Sequence, residues 1–256
     1  AVEKLLAKQL KRKRLTQEEY EAKCSSFIFT DDYNELSGCD AVIECVFEDM
    51  TVKKEIFTKI AGIVSKDTLL LTNTSSLDIA EIFRGIPSPE RCLGMHFFYP
   101  VKLSGFVELN YLSENTAEVL DKAEALITAS GKRALRFAGE YHIYLNQILA
   151  LCISHSIRTA GEAGATAEEF DSAVKEYFPF AGPFAVLDTV SLGLMAKNPD
   201  GFRIPRNKSL LEYGYRIMKS WLDDGCSAAS GCFLDYIRDK QTDSECDTSR
   251  FGNGIL

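Results

Sequence analysis

The chain has no G-x-G-x-x-G run, no C-x-x-C pair and no long apolar stretch. The first absence leaves it without the Gly-rich turn that cradles a dinucleotide's phosphates. The second removes zinc-ribbon and thioredoxin-like readings of its eight cysteines, which are scattered at unrelated spacings; no metal is expected. The third excludes a spanning helix, because crossing a bilayer takes about 20 consecutive apolar residues. Positive charge is also short. The 29 Lys and Arg stand against 37 Asp and Glu, a net charge of -8, which argues against general nucleic-acid binding. An anionic ligand therefore needs a local basic patch, and Lys8, Lys11, Arg12, Lys13 and Arg14 are the one cluster that offers it.

What is present is the bulk composition of a globular protein: 256 residues, 46% apolar and 26% charged. That length suffices for one large domain or two ordinary ones. Cys45, Cys92 and Cys152 lie in apolar segments and are expected to be small buried hydrophobes. With Cys226, Cys232 and Cys246 in a polar tail, the pattern suggests a reducing, intracellular compartment. No signal peptide is expected at the start, where the text reads as the middle of something longer.

Periodicity divides the chain in two. Residues 2 to 23 are helical, with a break at the Lys11–Arg14 cluster and a fresh N-cap at Thr16 followed by Glu18 and Glu19. Phe27-Ile28-Phe29 is a strand candidate. Strands are then expected at 41–47, 68–72, 92–98, 106–111 and 133–138, with helices at 52–64, 77–84 and 116–130 between them. Such alternation implies βαβ units and a parallel sheet. From Asn146 onward the pattern is helical, over 146–161, 166–177, 183–195 and 209–222. The expected organisation is an α/β domain over 1–140, an all-α domain over 141–224 and a polar tail over 225–256.

Chemistry-bearing residues collect at strand ends, where α/β sheets place their ligands. Asn73-Thr74-Ser75-Ser76 follows one strand, His96 ends another, and Glu108 lies in the next. A histidine between a Ser-rich turn and a later Glu offers a base, a substrate clamp and an orienting acid. Ser75 is also a candidate cap for the helix expected at Leu77. Glu44 and Glu48 lie in or just after a buried strand, and an unpaired buried carboxylate is costly, so Glu48 is expected to face a cleft. His142 and His155 lack such context.

These motifs, Ile43-Glu44-Cys45-Val46-Phe47-Glu48-Asp49, Lys53-Lys54, Asn73-Thr74-Ser75-Ser76-Leu77, Gly94-Met95-His96-Phe97-Phe98, Val107-Glu108 and Gly182-Pro183-Phe184, resemble in order and separation the L-3-hydroxyacyl-CoA dehydrogenase family. The likeness spans roughly residues 1 to 195 and is greatest to the dehydrogenase part of the multifunctional fatty-acid oxidation proteins. It implies a Rossmann-type NAD-binding domain, here lacking its first strand–turn–helix, followed by an all-α domain that dimerises. It implies NAD-dependent oxidation of the 3-hydroxyl of an acyl-CoA. By the same resemblance His96 is the base and Glu108 its partner. Ser75 and Asn146 hold the substrate oxygen, Glu48, Lys53, Cys45 and Asn73 line the cofactor, and Gly182-Pro183-Phe184 opens a helix lining the acyl pocket and interface.

Three departures stand out. The Gly-rich loop and its acidic ribose partner would precede Ala1. The remaining sheet should then have an exposed edge. Tyr99 occupies the place of a family Asn that contacts substrate. Tyr141-His142-Ile143 replaces a Pro-Gly-Phe turn between the domains. Two other readings follow: a catalytically inactive acyl-CoA-binding or dimerising subunit, and a dehydrogenase of a hydroxy acid without CoA.

Overall fold

The computed structural model describes residues 2–139, 143–177 and 182–190. The helices expected beyond 190, the polar tail and His142 lie outside them. The elements run α1 (Val2–Lys11), α2 (Gln17–Ser25), β1 (Ala41–Glu44), α3 (Met50–Ala61), β2 (Leu69–Thr72), α4 (Ile79–Ile82), β3 (Cys92–Phe97), β4 (Phe106–Tyr111), α5 (Ala117–Ala129), β5 (Arg133–Ala138), α6 (Tyr144–Ala163), α7 (Ala167–Tyr177) and α8 (Pro183–Val190). Two turns of 3-10 helix at Tyr33–Gly38 precede β1.

The opening helical text is two helices. Thr16 closes a capping box with Glu19, which satisfies two otherwise free N–H groups and restarts the helix after the basic cluster. Neither helix buries a residue. Phe27-Ile28-Phe29 is not a strand. It has no regular secondary structure and is exposed, with Ile28 and Phe29 each 78% accessible. Its β-propensity finds no neighbouring strand among the described residues, and a strand without a ladder does not persist.

The sheet has the order β1-β2-β3-β4-β5. Four pairs are not all parallel, as the alternation suggested: β3 and β4 run antiparallel, and the other three pairs are parallel. The β3–β4 connection, residues 98–105, is too short for the crossover of a dozen residues that parallel pairing demands. Among the described residues β1 pairs only with β2, so one edge of the sheet is open there, as expected.

Strand alternation sorts the sheet into two faces. Leu69, Leu71, Leu93, Met95, Val107 and Leu109 form one, packed against Ala123 and Ile127 of α5. Val42, Leu70, Cys92 and Leu112 form the other, packed against Phe57 and Ile60 of α3, Ile79 and Ile82 of α4, and Ile143 at the start of α6. On that second face the register aligns Glu44, Thr72, Gly94 and Asn110 in one row, with His96 opposite Glu108 beside it. The chemistry is therefore a polar strip across one otherwise apolar face. At Gly94 a Cβ would sit 2.5 Å from Ile79 Cδ1 and 3.1 Å from Asn110 Cβ. Its bareness lets α4 rest directly on the sheet.

Candidate functional site

Lys53 begins the site, although it lies on the buried side of a helix. Lys53, Phe57 and Ile60 are the buried residues of α3 and share one stripe. The Lys53 ammonium is 1% exposed and lies 2.7 Å from Glu44 Oε1 and 3.2 Å from Glu48 Oε2. Glu44 also accepts from Thr72 Oγ1 at 2.8 Å and from the Val46 N–H at 2.7 Å. A buried cation is tolerable only with such partners.

Glu48 lies in the β1–α3 turn and reaches across to the loop that follows β2. Its Oε1 accepts from Thr74 Oγ1 at 2.7 Å, from the Ser75 and Ser76 N–H groups at 2.8 and 3.0 Å, and from Ser76 Oγ at 3.3 Å. Burial alone would raise this carboxyl. The Thr74 hydroxyl, the Lys53 charge and the Ser75 N–H outweigh it and hold Glu48 below its ordinary value. The carboxylate therefore does not simply face a cleft: it grips the loop.

Ser75 is gripped from the other side as well. Asn146 Nδ2, on the first turn of α6, donates to the Ser75 carbonyl at 2.9 Å. The Ser75 hydroxyl makes no hydrogen bond among the described residues. Ser75 is not the expected cap: Asp78 caps α4 through the Glu81 N–H, and Thr74 Oγ1 accepts from Leu77.

His96 is 6% exposed, its ring edge-on to Phe98. Burial pushes it below the ordinary imidazole value, against the opposing pull of the Thr74 main chain, the Glu48 charge and the Asn73 main chain. The ring thus lies against the loop that carries Ser75. Its Nδ1 is buried without a hydrogen-bond partner among the described residues. Glu108 is its direct cross-strand neighbour, yet the carboxylate accepts from the Tyr144 and Leu145 N–H groups at 2.6 and 3.0 Å. It caps α6, whose N-cap Ile143 has no side-chain oxygen. Burial raises Glu108 above the ordinary carboxylate value although those two N–H groups pull the other way. A similar device starts α8, where Asp171 accepts from the Phe184 and Ala185 N–H groups at 3.0 and 2.9 Å. A Cβ on Gly182 would sit 2.2 Å from Asp171 Cγ, which is what the Gly of Gly182-Pro183-Phe184 accommodates.

The remaining expected site residues spread out. Asn73 Oδ1 accepts from the Phe97 N–H at 2.9 Å and ties the ends of β2 and β3 together. Cys45 and Cys152 are exposed rather than buried. Cys45 lies past the last paired residue of β1, and Cys152 is on the outward side of α6. Cys92 is buried as expected, and burial pushes its thiol up to about 12. Tyr99 is 82% exposed. His155 is exposed beside Arg158. Missed by sequence reasoning were the Glu44–Lys53 pair, the role of Thr74, and Asn110, a fully buried amide without a hydrogen-bond partner among the described residues. Only Lys53 gave a signal: it falls on the apolar stripe of its helix.

The ends of β1 and β2, followed by Cys45, Val46 and Phe47 and by Asn73, suit the reactive end of a dinucleotide. A Gly-rich cradle for its phosphates is not in these 256 residues. The fit is to the nicotinamide half.

Comparison with known proteins gives the same picture. Residues 1–140 match the family described as 3-hydroxyacyl-CoA dehydrogenase, NAD binding domain. The fatty acid oxidation complex subunit alpha of Shewanella halifaxensis is 30% identical over 195 residues, 76% of this chain and 27% of that protein. The chain thus spans about a quarter of the curated relative it matches. Among solved structures, FadB2 of M. tuberculosis is 28% identical with a TM-score of 0.75, covering 87% of this chain and 79% of the other. The 3-hydroxybutyryl-CoA dehydrogenase of Escherichia coli K12 is 27% identical with a TM-score of 0.79, covering 91% and 50%.

Proposed function

From the premise that this chain belongs to the 3-hydroxyacyl-CoA dehydrogenase family, we propose that it carries out the NAD-dependent oxidation of the 3-hydroxyl of an acyl-CoA. The observation that carries this reading is Ser75. Its N–H and C=O are both held, by Glu48 and Asn146, while its hydroxyl makes no hydrogen bond among the described residues and is left for a ligand.

NAD, when bound, takes the hydride from the substrate carbon. The chain's own residues do the rest. His96 is neutral near pH 7 because burial lowers its affinity for protons, so a ring nitrogen accepts the proton of the 3-hydroxyl. The charge of Glu48 stabilises the imidazolium that results, and Glu108, opposite His96 in the ladder, braces the start of α6. Ser75 and Asn146 orient the substrate oxygen. Cys45 and Asn73 line the nicotinamide end, and Tyr99 stands at the substrate entrance. A homodimer through the helical domain, where Tyr144 and Ile148 of α6 are exposed, and a reducing compartment complete the reading. No described helix is long and apolar enough to cross a membrane.

The test is turnover of 3-hydroxybutyryl-CoA with NAD by the full-length protein. NADH formation should fall about 10²–10⁴-fold in His96→Ala, and equal rates would overturn the assignment. The exposed Tyr99, in place of an amide side chain, favours a second reading as a non-catalytic acyl-CoA-binding subunit. That reading predicts heat on titration with acyl-CoA and none with NADH.

A further inference from the structure

Between His96 and Glu108 the chain leaves the ladder over residues 98–105. Within this loop the Leu103 and Ser104 N–H groups donate to the Pro100 carbonyl at 2.8 and 3.0 Å. Ser104 Oγ donates to the Phe106 carbonyl at 3.1 Å and accepts from its N–H at 3.3 Å. Those bonds shape a turn without attaching it to the body of the protein. Lys132 attaches it. Its ammonium donates to the Val101 and Ser104 carbonyls, at 2.6 Å each. No carboxylate pairs with that ammonium among the described residues.

Lys132 is itself firmly held. It lies between the end of α5 and the start of β5. Gly131, at φ +77°, closes α5, and the Gly131 and Lys132 N–H groups donate to the Thr128 and Ile127 carbonyls at 2.9 and 3.3 Å. The Arg133 N–H donates to the Gly105 carbonyl at 2.9 Å, at the loop's exit. A charged donor holds a carbonyl more strongly than a neutral one, so the loop is pinned at two points. His96 does not depend on this clamp: it is paired with Glu108 in the ladder, and Asn73 Oδ1 accepts from the next N–H, that of Phe97, at 2.9 Å. Tyr99, Val101 and Leu103 do depend on it. All three are exposed, on a loop that leaves the same end of the sheet as the one carrying Ser75, because β2 and β3 run parallel.

We propose that Lys132 is a positioning residue that acts on the acyl chain of the substrate through the 98–105 loop, presenting Tyr99, Val101 and Leu103 as an apolar wall. A loop already held still need not be ordered when an apolar chain packs on it, which favours binding. The identity of the ligand rests on the dehydrogenase reading, but the clamp on the loop stands apart from it.

The test uses the full-length protein with Lys132→Met, which keeps the aliphatic stem, and Lys132→Arg, which keeps the charge. Val101 is exposed and Ser104 half-buried, so water can satisfy their carbonyls and the fold survives the change. Amide hydrogen exchange at Leu103 and Ser104 should be about tenfold faster or more in Lys132→Met, with β3 unchanged. Lys132→Arg should restore part of the protection. Unchanged exchange at those two amides, or equal acceleration along β3, overturns the proposal.

Turnover of 3-hydroxybutyryl-CoA and of 3-hydroxydecanoyl-CoA with NAD gives the ligand arm. Each methylene that packs on an apolar wall is worth up to about fourfold in affinity. Lys132→Met should therefore raise KM about tenfold for the ten-carbon substrate and less than about twofold for the four-carbon one. It should leave kcat and the acid limb of the pH–rate profile in place. Equal losses on both substrates, or a fall in kcat with KM unchanged, sink the idea. So does an unmodified protein whose KM gains nothing from the longer chain. If the unmodified protein turns over neither substrate, the dehydrogenase reading fails and takes the acyl-chain assignment with it, while the exchange measurement still decides whether Lys132 holds the loop.

Discussion

His96 and Glu108 stand directly opposite each other in the β3–β4 ladder, but Glu108 accepts its hydrogen bonds from the start of α6 and leaves His96 Nδ1 without a partner among the described residues. The carboxylate thus joins β4, the strand paired with the one that carries the base, to the helix that carries Asn146. In the proposed reaction His96 is the group whose protonation state matters most.

Its pH dependence follows from the direction of its shift. The folded protein binds a proton at His96 less readily than an ordinary histidine, for which the midpoint is about 6.5. The reactive form is the neutral one, so kcat/KM for alcohol oxidation should fall on the acid side with a midpoint below about 6.5. Stability shifts in the same direction. The unfolded chain takes up this proton near 6.5 and the folded chain only at lower pH, so folding weakens as pH drops between those values. A pH–rate profile with its acid limb above 6.5 contradicts this assignment.

The buried pair of Lys53 and Glu44 should respond asymmetrically to substitution. Lys53→Met leaves two buried or half-buried carboxylates without their cation and should cost about 3–5 kcal/mol. Adding Glu44→Gln to Lys53→Met should recover part of the loss, since it removes the most buried of the stranded charges. Urea unfolding of the two variants decides it. If the second substitution only deepens the loss, the pair does not act as a unit.

Gly94 should accept nothing larger. Gly94→Ala drives a Cβ against Ile79 Cδ1 and Asn110 Cβ, and over-packing of this kind costs about 1–3 kcal/mol. Because Ile79 is the first residue of α4, the displacement reaches the loop that carries Ser75. Chemical denaturation should show a lower midpoint, and an unchanged midpoint would mean that α4 yields freely.

The helix cap at Thr16 gives a milder case. Thr16→Ala should lose about 1 kcal/mol of local stability. It should fray α2 without touching the sheet, since α2 buries no residue. Faster amide exchange confined to residues 17–21 is the expected signature.

Much of this was legible in the residues. The bounds of β4 and β5 coincide with their apolar runs, 106–111 and 133–138. The capping signal at Thr16 names the helix it starts. What escaped depends on distant partners. Phe27-Ile28-Phe29 has strand composition but no neighbour, and β3–β4 runs antiparallel because its connection is short rather than because its strands differ. At the site, the residue types were legible and their engagements were not. Nothing local says that Glu48 would bind residues 74 to 76, or that Glu108 would reach Tyr144 across 36 positions.

That last contact sets an order of assembly. The N-terminus of α6 takes its cap from a strand 36 residues earlier, so the helix has no complete beginning until that strand is seated. Cut away from the sheet, the segment would unravel from its front end, whereas the strands owe it nothing for their ladder. Synthesis from the N-terminus delivers the template first and the dependent helix second.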